Sequence, residues 1–99
     1  MNSNLKLTKE IEEKVISFLK ECGSKKISIF GSYVRGEATP ESDLDIIVEF
    51  EESISLLDIV GFEMDLSERL GIKVELLTEK SISPYIIEDV LAEAKVIYS

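Results

Sequence analysis

After Thr8, apolar residues fall at Ile11, Val15, Phe18, Leu19 and Cys22. That three-to-four-residue spacing predicts a helix, with Thr8 as its N-cap and Gly23 at its C-terminal end. Lys25-Lys26 then reads as a short polar turn. Ile27-Ser28-Ile29-Phe30 alternates and is rich in β-branched and aromatic side chains, which predicts a strand ended by Gly31-Ser32. Tyr33 to Arg35 is short enough for one helical turn, and Gly36 to Ser42, punctuated by Pro40, reads as a loop. Leu44 to Phe50 is the strongest strand in the chain. Ser55 is placed to cap a second helix carrying Leu57, Val60, Met64 and Leu70 on one face, with Gly71 past its end. Val74 to Leu77 predicts a third strand. Ser83-Pro84 opens a last helix, whose buried side is expected to carry Ile87, Val90, Leu91 and Ala94. Val96-Ile97-Tyr98 can add a short closing strand.

The order is helix, strand, strand, helix, strand, helix and a closing strand. Only about a dozen residues with no long helix join the first two strands, so they are expected to be sheet neighbours. This predicts an α+β fold, a small mixed or antiparallel sheet with helices packed on it. Ninety-nine residues suit one domain over 1–99.

Charge changes this picture more than composition does. The chain holds 20 acids against 11 bases, a net charge of −9. That balance excludes a surface built to wrap nucleic acid, which needs clustered Lys and Arg. Residues 36–68 contain eleven acids and no Lys or Arg, so over half of the negative charge lies uncompensated in a third of the chain. There is no histidine, which removes the commonest general base and zinc ligand. Cys22 stands alone, so it forms no intrachain disulfide, and its helical position points to core packing. Met1-Asn2-Ser3-Asn4-Leu5 lacks the apolar core of a signal peptide, and no run reaches the ~18 apolar residues of a membrane span. A cytoplasmic protein with no membrane partner is the simplest expectation.

The chemistry concentrates in Gly31-Ser32-Tyr33-Val34-Arg35-Gly36 and Ser42-Asp43-Leu44-Asp45. Asp43 and Asp45 are two residues apart at a strand head, so both carboxylates are expected on one face, with Leu44, Ile46 and Val48 on the other. At roughly 5 Å two carboxylates repel by about 3 kcal/mol at an effective dielectric near 20. Solvent or a cation must offset this, and oxygen-only ligands suit Mg²⁺ or Mn²⁺. A Gly directly after an apolar strand lets a ligand approach the backbone, and the next N–H groups with the Ser32 hydroxyl can hold phosphate oxygens. Side by side, a phosphate cradle and a carboxylate pair are what phosphoryl or nucleotidyl transfer needs. Glu75, between Val74 and Leu76 on a short strand, is either a third site carboxylate or a solvent-facing residue.

Gly-Ser, ten residues, then Asp-x-Asp resembles the signature of the DNA polymerase beta-like nucleotidyltransferase superfamily. The full string, with Val48-Glu49-Phe50, Leu70 to Thr78 and Ser83-Pro84-Tyr85-Ile86, is similar to its minimal nucleotidyltransferase (MNT) branch. The resemblance implies a nucleotidyltransferase-like core and transfer of AMP from ATP with two Mg²⁺ ions. It gives Asp43, Asp45 and Glu75 metal-binding and catalytic roles, and gives Gly31 and Ser32 the β,γ-phosphates of the nucleoside triphosphate. The third carboxylate of that family is usually Asp, so Glu75 departs from its pattern. Arg35 has two readings: a phosphate contact, or an ion pair with the acidic 37–45 loop. Tyr33 and Val34 read as packing or rim residues.

Members of this branch commonly act as antitoxins beside a HEPN-type toxin partner, and some adenylylate a tyrosine on it. Two further readings stay open. One is an antitoxin with a weak site that neutralises a basic partner by contact, as the acid-only stretch suggests. The other is nucleotidyl transfer to a small molecule, for which a homo-oligomer or partner must supply the walls that so short a chain lacks.

Overall fold

The computed structural model describes residues 5–99. The first four residues considered above for a leader lie outside them. Helix α1 (Lys9–Glu21) begins as its cap predicts, with the Thr8 hydroxyl oxygen accepting the Ile11 N–H at 3.2 Å. Strand β1 (Ser24–Phe30) follows, then a single turn α2 (Ser32–Arg35), strand β2 (Leu44–Phe50), helix α3 (Leu56–Leu70) and strand β3 (Val74–Leu77). A 3₁₀ turn (Glu79–Ser81), helix α4 (Ile87–Glu93) and strand β4 (Lys95–Tyr98) complete the order.

The four strands form one mixed sheet in the order β3-β2-β1-β4. β1 runs antiparallel to both β2 and β4, while β2 and β3 are parallel. A parallel pair needs a crossover, and α3 supplies it. One sheet face, made by Ile27, Ile29, Leu44, Ile46, Val48, Val74 and Leu76, packs on Val15, Phe18, Leu19 and Leu66. Strand alternation turns Ser28, Asp45, Ile47, Glu49 and Glu75 to the other face. The fold thus dedicates one face to the core and puts Ser28, Asp45, Glu49 and Glu75, around the buried Ile47, on the other. Cys22 packs at the edge of the core, and burial, with Asp65 and Glu21 nearby, pushes its thiol pKa up, so it stays a protonated packing residue.

Three sequence expectations change. Lys25-Lys26 is not a turn: both residues belong to β1, where a register irregularity between Ser24 and Lys26 absorbs the extra length. α4 begins at Ile87, because Ser83-Pro84 instead forms a turn whose Ser83 carbonyl accepts both Ile86 and Ile87 N–H groups at 3.1 Å. No residue of α4 is fully buried, and Leu91 is exposed.

The third correction concerns α3. The helix is apolar on two faces, and the spacing of Leu57, Val60 and Met64 selects the wrong one. Leu57 is 83 % exposed and Met64 65 %, whereas Leu66 is 0 % exposed. Ile59, Phe62, Leu66 and Leu70 make the inward face. Two polar side chains settle the choice. The Ser67 hydroxyl accepts the Val74 N–H at 2.9 Å, and the Glu63 carboxylate accepts the Leu76 N–H at 2.8 Å. These N–H groups point outward from the sheet edge, so α3 must turn Glu63 and Ser67 toward β3 to satisfy them.

This orientation makes a direct prediction. Leu66→Ala should lower the urea-unfolding free energy by about 2–5 kcal/mol. Leu57→Ala should change it by no more than about 0.5 kcal/mol.

Candidate active site

The site grows from the end of β1. Gly31 has φ +85° and ψ −155°, a region open essentially to glycine alone. A Cβ there would lie 2.5 Å from Asp45 Oδ2, so the missing side chain also makes room for the carboxylate. α2 starts immediately after, and the first N–H groups of such a turn, those of Ser32 and Tyr33, have no intrahelical acceptor. Tyr33 is buried against the core and Val34 packs beside it, matching their reading as packing residues.

The loop that follows is pinned at both ends. Ala38 pairs with Leu5, its N–H reaching the Leu5 carbonyl at 3.0 Å. The Thr39 N–H donates to the Ser42 hydroxyl at 2.9 Å, and the Ser42 N–H returns to the Thr39 carbonyl at 2.9 Å. This closed turn delivers Asp43, which sits just ahead of β2 rather than within it, 3.9 Å from the Lys73 ammonium.

Sheet register then places the acids. Asp45 stands opposite Phe30 on β1 and opposite Glu75 on β3. Glu75 is exposed and Asp45 half-buried. Burial, then the like charges of Glu75 and Asp43, push the Asp45 carboxyl from 3.8 to about 6, with Arg35 pulling the other way. Among the described residues Asp45 makes no salt bridge. The structure therefore brings Gly31, Asp43, Asp45 and Glu75 together at one end of the polar sheet face.

The donor chemistry fits a hard divalent cation: carboxylate oxygens only, crowded, and with no salt bridge to Asp45 among the described residues. Among the described residues, however, no group of three His, Cys, Asp or Glu side chains stands ready to hold a metal by itself. Such a site suits an ion that arrives with phosphate oxygens as further ligands, the usual habit of Mg²⁺.

One contributor was absent from the sequence reading. Glu93, the last residue of α4, accepts the Gly31 N–H at 2.9 Å and both its oxygens accept from Arg35 Nη1, at 3.0 and 2.9 Å. Arg35 also bonds Glu37 at 2.9 Å. Of the two readings of Arg35, the structure shows the ion pair, with loop acid Glu37 and with Glu93. Arg35 and the Gly31 N–H in turn hold the Glu93 carboxyl below its ordinary range. One carboxylate thus ties α4 to both ends of α2 and fixes the turn beside Asp45. Only the late position of Glu93, 58 residues from Arg35, hid it.

A groove of about 550 Å³ opens further along β1 and β2, with Ser28, Ile47, Glu49, Leu56, Ile59 and Leu91 among its walls. Ser28 and Ile47 are paired in the sheet one repeat beyond Phe30 and Asp45.

The family model of the nucleotidyltransferase domain matches residues 8–97. The chain belongs to the nucleotidyltransferase domain family. A Methanocaldococcus jannaschii relative is 48 % identical over 85 residues, covering 86 % of this chain and 91 % of its own. The protein adenylyltransferase MntA of Thermococcus cleftensis is 43 % identical over 88 residues, covering 85 % and 89 %. Among solved structures, a toxin–antitoxin crystallised with AMP-PNP matches with a TM-score of 0.80 and 26 % identity, over 89 % of this chain and 73 % of that one. A tri-AMPylated Shewanella oneidensis HEPN toxin in complex with MNT antitoxin matches with a TM-score of 0.75 over 94 % and 73 %; at 22 % identity that likeness shows the fold. A solved minimal nucleotidyltransferase is 39 % identical, with a TM-score of 0.74 over 85 % of this chain and 86 % of that one; the nucleotidyltransferase is thus an enzyme of that minimal type, as its Gly-Ser and Asp-x-Asp elements suggested. No helix among the described residues is long and apolar enough to cross a membrane.

The raised Asp45 value has a consequence for stability. Between pH 3.8 and about 6 the native state of the nucleotidyltransferase keeps a proton that the unfolded chain has lost. Stability therefore falls as pH rises through that window, because the native state binds more protons. Asp45→Asn removes the effect. In metal-free buffer its Tm should match that of the parent near pH 4 and exceed it increasingly up to about pH 7, where the difference levels off.

Proposed function

We propose that this nucleotidyltransferase transfers AMP from ATP to a tyrosine hydroxyl of a HEPN-type toxin, as the antitoxin of the pair. The observation that carries the reading is the carboxylate set of Asp43, Asp45 and Glu75 beside the Gly31 turn. Support for the acceptor comes from relatives. A 43 % identical chain is named a protein adenylyltransferase, and a fold neighbour is an MNT antitoxin bound to an AMPylated HEPN toxin.

Asp43 and Asp45 hold the divalent ions. Two Mg²⁺ ions, when bound, supply positive charge that stabilises the developing negative charge on the triphosphate. Gly31 and Ser32 face the β,γ-phosphates, with Ser32 and Tyr33 N–H groups and the Ser32 hydroxyl as donors. Glu93 occupies the Gly31 N–H and thereby orients the turn rather than touching phosphate. The acceptor oxygen attacks the α-phosphorus, and the bond to the bridging oxygen of pyrophosphate breaks. Glu75, exposed and opposite Asp45, takes the acceptor proton, since in a chain without histidine proton transfer falls to a carboxylate or to the metal itself. The groove past Ile47 gives the acceptor segment room further along β1 and β2.

The test is labelling of a purified HEPN-type toxin with ATP carrying a radioactive α-phosphate, with and without Mg²⁺. The expected result is Mg²⁺-dependent labelling that Asp45→Asn reduces at least about a hundredfold, as loss of several kcal/mol of charge stabilisation requires. Neutralisation of the toxin by an Asp43→Asn/Asp45→Asn variant that transfers nothing would favour a contact-only antitoxin instead.

A further inference from the structure

Among the described residues, nothing covers the outer face of α3. Leu57, Val60 and Met64 are 83 %, 41 % and 65 % exposed. At 100° per residue they share one stripe, opposite the Ile59, Phe62, Leu66 and Leu70 that face the core. Three large apolar side chains in one stripe are more than the scattered exposure that a monomer surface normally carries.

Gly61 sits in the same outer face, in mid-helix. A Cβ there would meet nothing within 4 Å, so no contact among the described residues demands glycine. Glycine is a poor helix residue, and its use here lets another backbone come close between Leu57 and Met64. The border of the stripe is acidic. Asp58, Asp65 and Glu68 flank it on α3, and the nearest base, Arg69, is held at 3.4 Å from Asp65 and over the Phe18 ring. A second copy of this chain would set these acids against their own counterparts, an arrangement that like-charge repulsion disfavours.

We propose that the outer face of α3 is the docking surface for the toxin partner, which presents an apolar helix flanked by Lys or Arg. This rests on the partner reading given under Proposed function and adds where contact is made. The surface lies across the sheet from Asp45 and Glu75, so a partner held there leaves the carboxylates open. Holding the partner and modifying it are then separable properties of one small chain.

The experiment measures binding of a purified HEPN-type toxin, encoded beside the gene of this chain, to the wild type, to Leu57→Ser/Met64→Ser and to Asp65→Lys/Glu68→Lys. All four positions are exposed, so an unchanged urea midpoint verifies that each variant is folded. The expected result is a Kd at least tenfold higher for both variants, with ATP binding unchanged and wild-type affinity falling as salt rises. Wild-type affinity in both variants would overturn the docking surface while leaving the transfer reading intact. A wild-type dimer in sedimentation that Leu57→Ser/Met64→Ser dissolves would overturn it in favour of a second copy. Failure of the wild type to bind the toxin at all would overturn the partner reading, and this surface with it.

Discussion

Asp45 cannot avoid Glu75. Parallel pairing of β2 with β3 fixes Leu44 against Val74 and Ile46 against Leu76, the row that builds the core. The residues between them must then meet on the opposite face, and both are acids. Slipping the register by one would turn the apolar row to solvent, so the core enforces the charge crowding. Hydrophobic burial on one face thus holds an electrostatic conflict in place on the other. In the proposed reaction, a cation with phosphate ligands would relieve that repulsion.

The rest of the chain maintains this arrangement. α3 provides the crossover that makes β2 and β3 parallel and satisfies the outer edge of β3 through Glu63 and Ser67. The Thr39–Ser42 turn presents Asp43, and Gly31 leaves the space that Asp45 occupies. Glu93 joins the last helix to both ends of α2, so the end of the chain stabilises the turn beside the carboxylates. A site assembled from residues 31 to 93 depends on nearly every element, which is how a chain of this length can carry chemistry.

The local features were legible in the sequence because they depend on local physics. Thr8 and Ser55 cap helices through their own hydroxyls, and both make the expected bonds, to Ile11 and Asp58. The adjacency of the first two strands followed from the short connection between them. Gly31, Asp43, Asp45 and Glu75 were named from spacing and resemblance, and the fold brings them together. What stayed hidden was tertiary. α3 has two apolar stripes, and only the need of the Val74 and Leu76 N–H groups for acceptors decides which one turns inward. The role of Glu93 is equally invisible, since nothing near it in sequence hints at Arg35. Lys25-Lys26 looked like a turn because both side chains are polar, yet they extend a strand beyond the core.

The most direct test is the titration of the Asp45 carboxyl itself, followed by carbon NMR with and without Mg²⁺ and a non-hydrolysable ATP analogue. The account predicts a midpoint of about 6 in the free protein, because burial and the charges of Glu75 and Asp43 oppose ionisation. Binding of the metal and nucleotide should bring it well below that value as positive charge replaces the repulsion. An ordinary aspartate midpoint in the free protein, unmoved by metal and nucleotide, would contradict it.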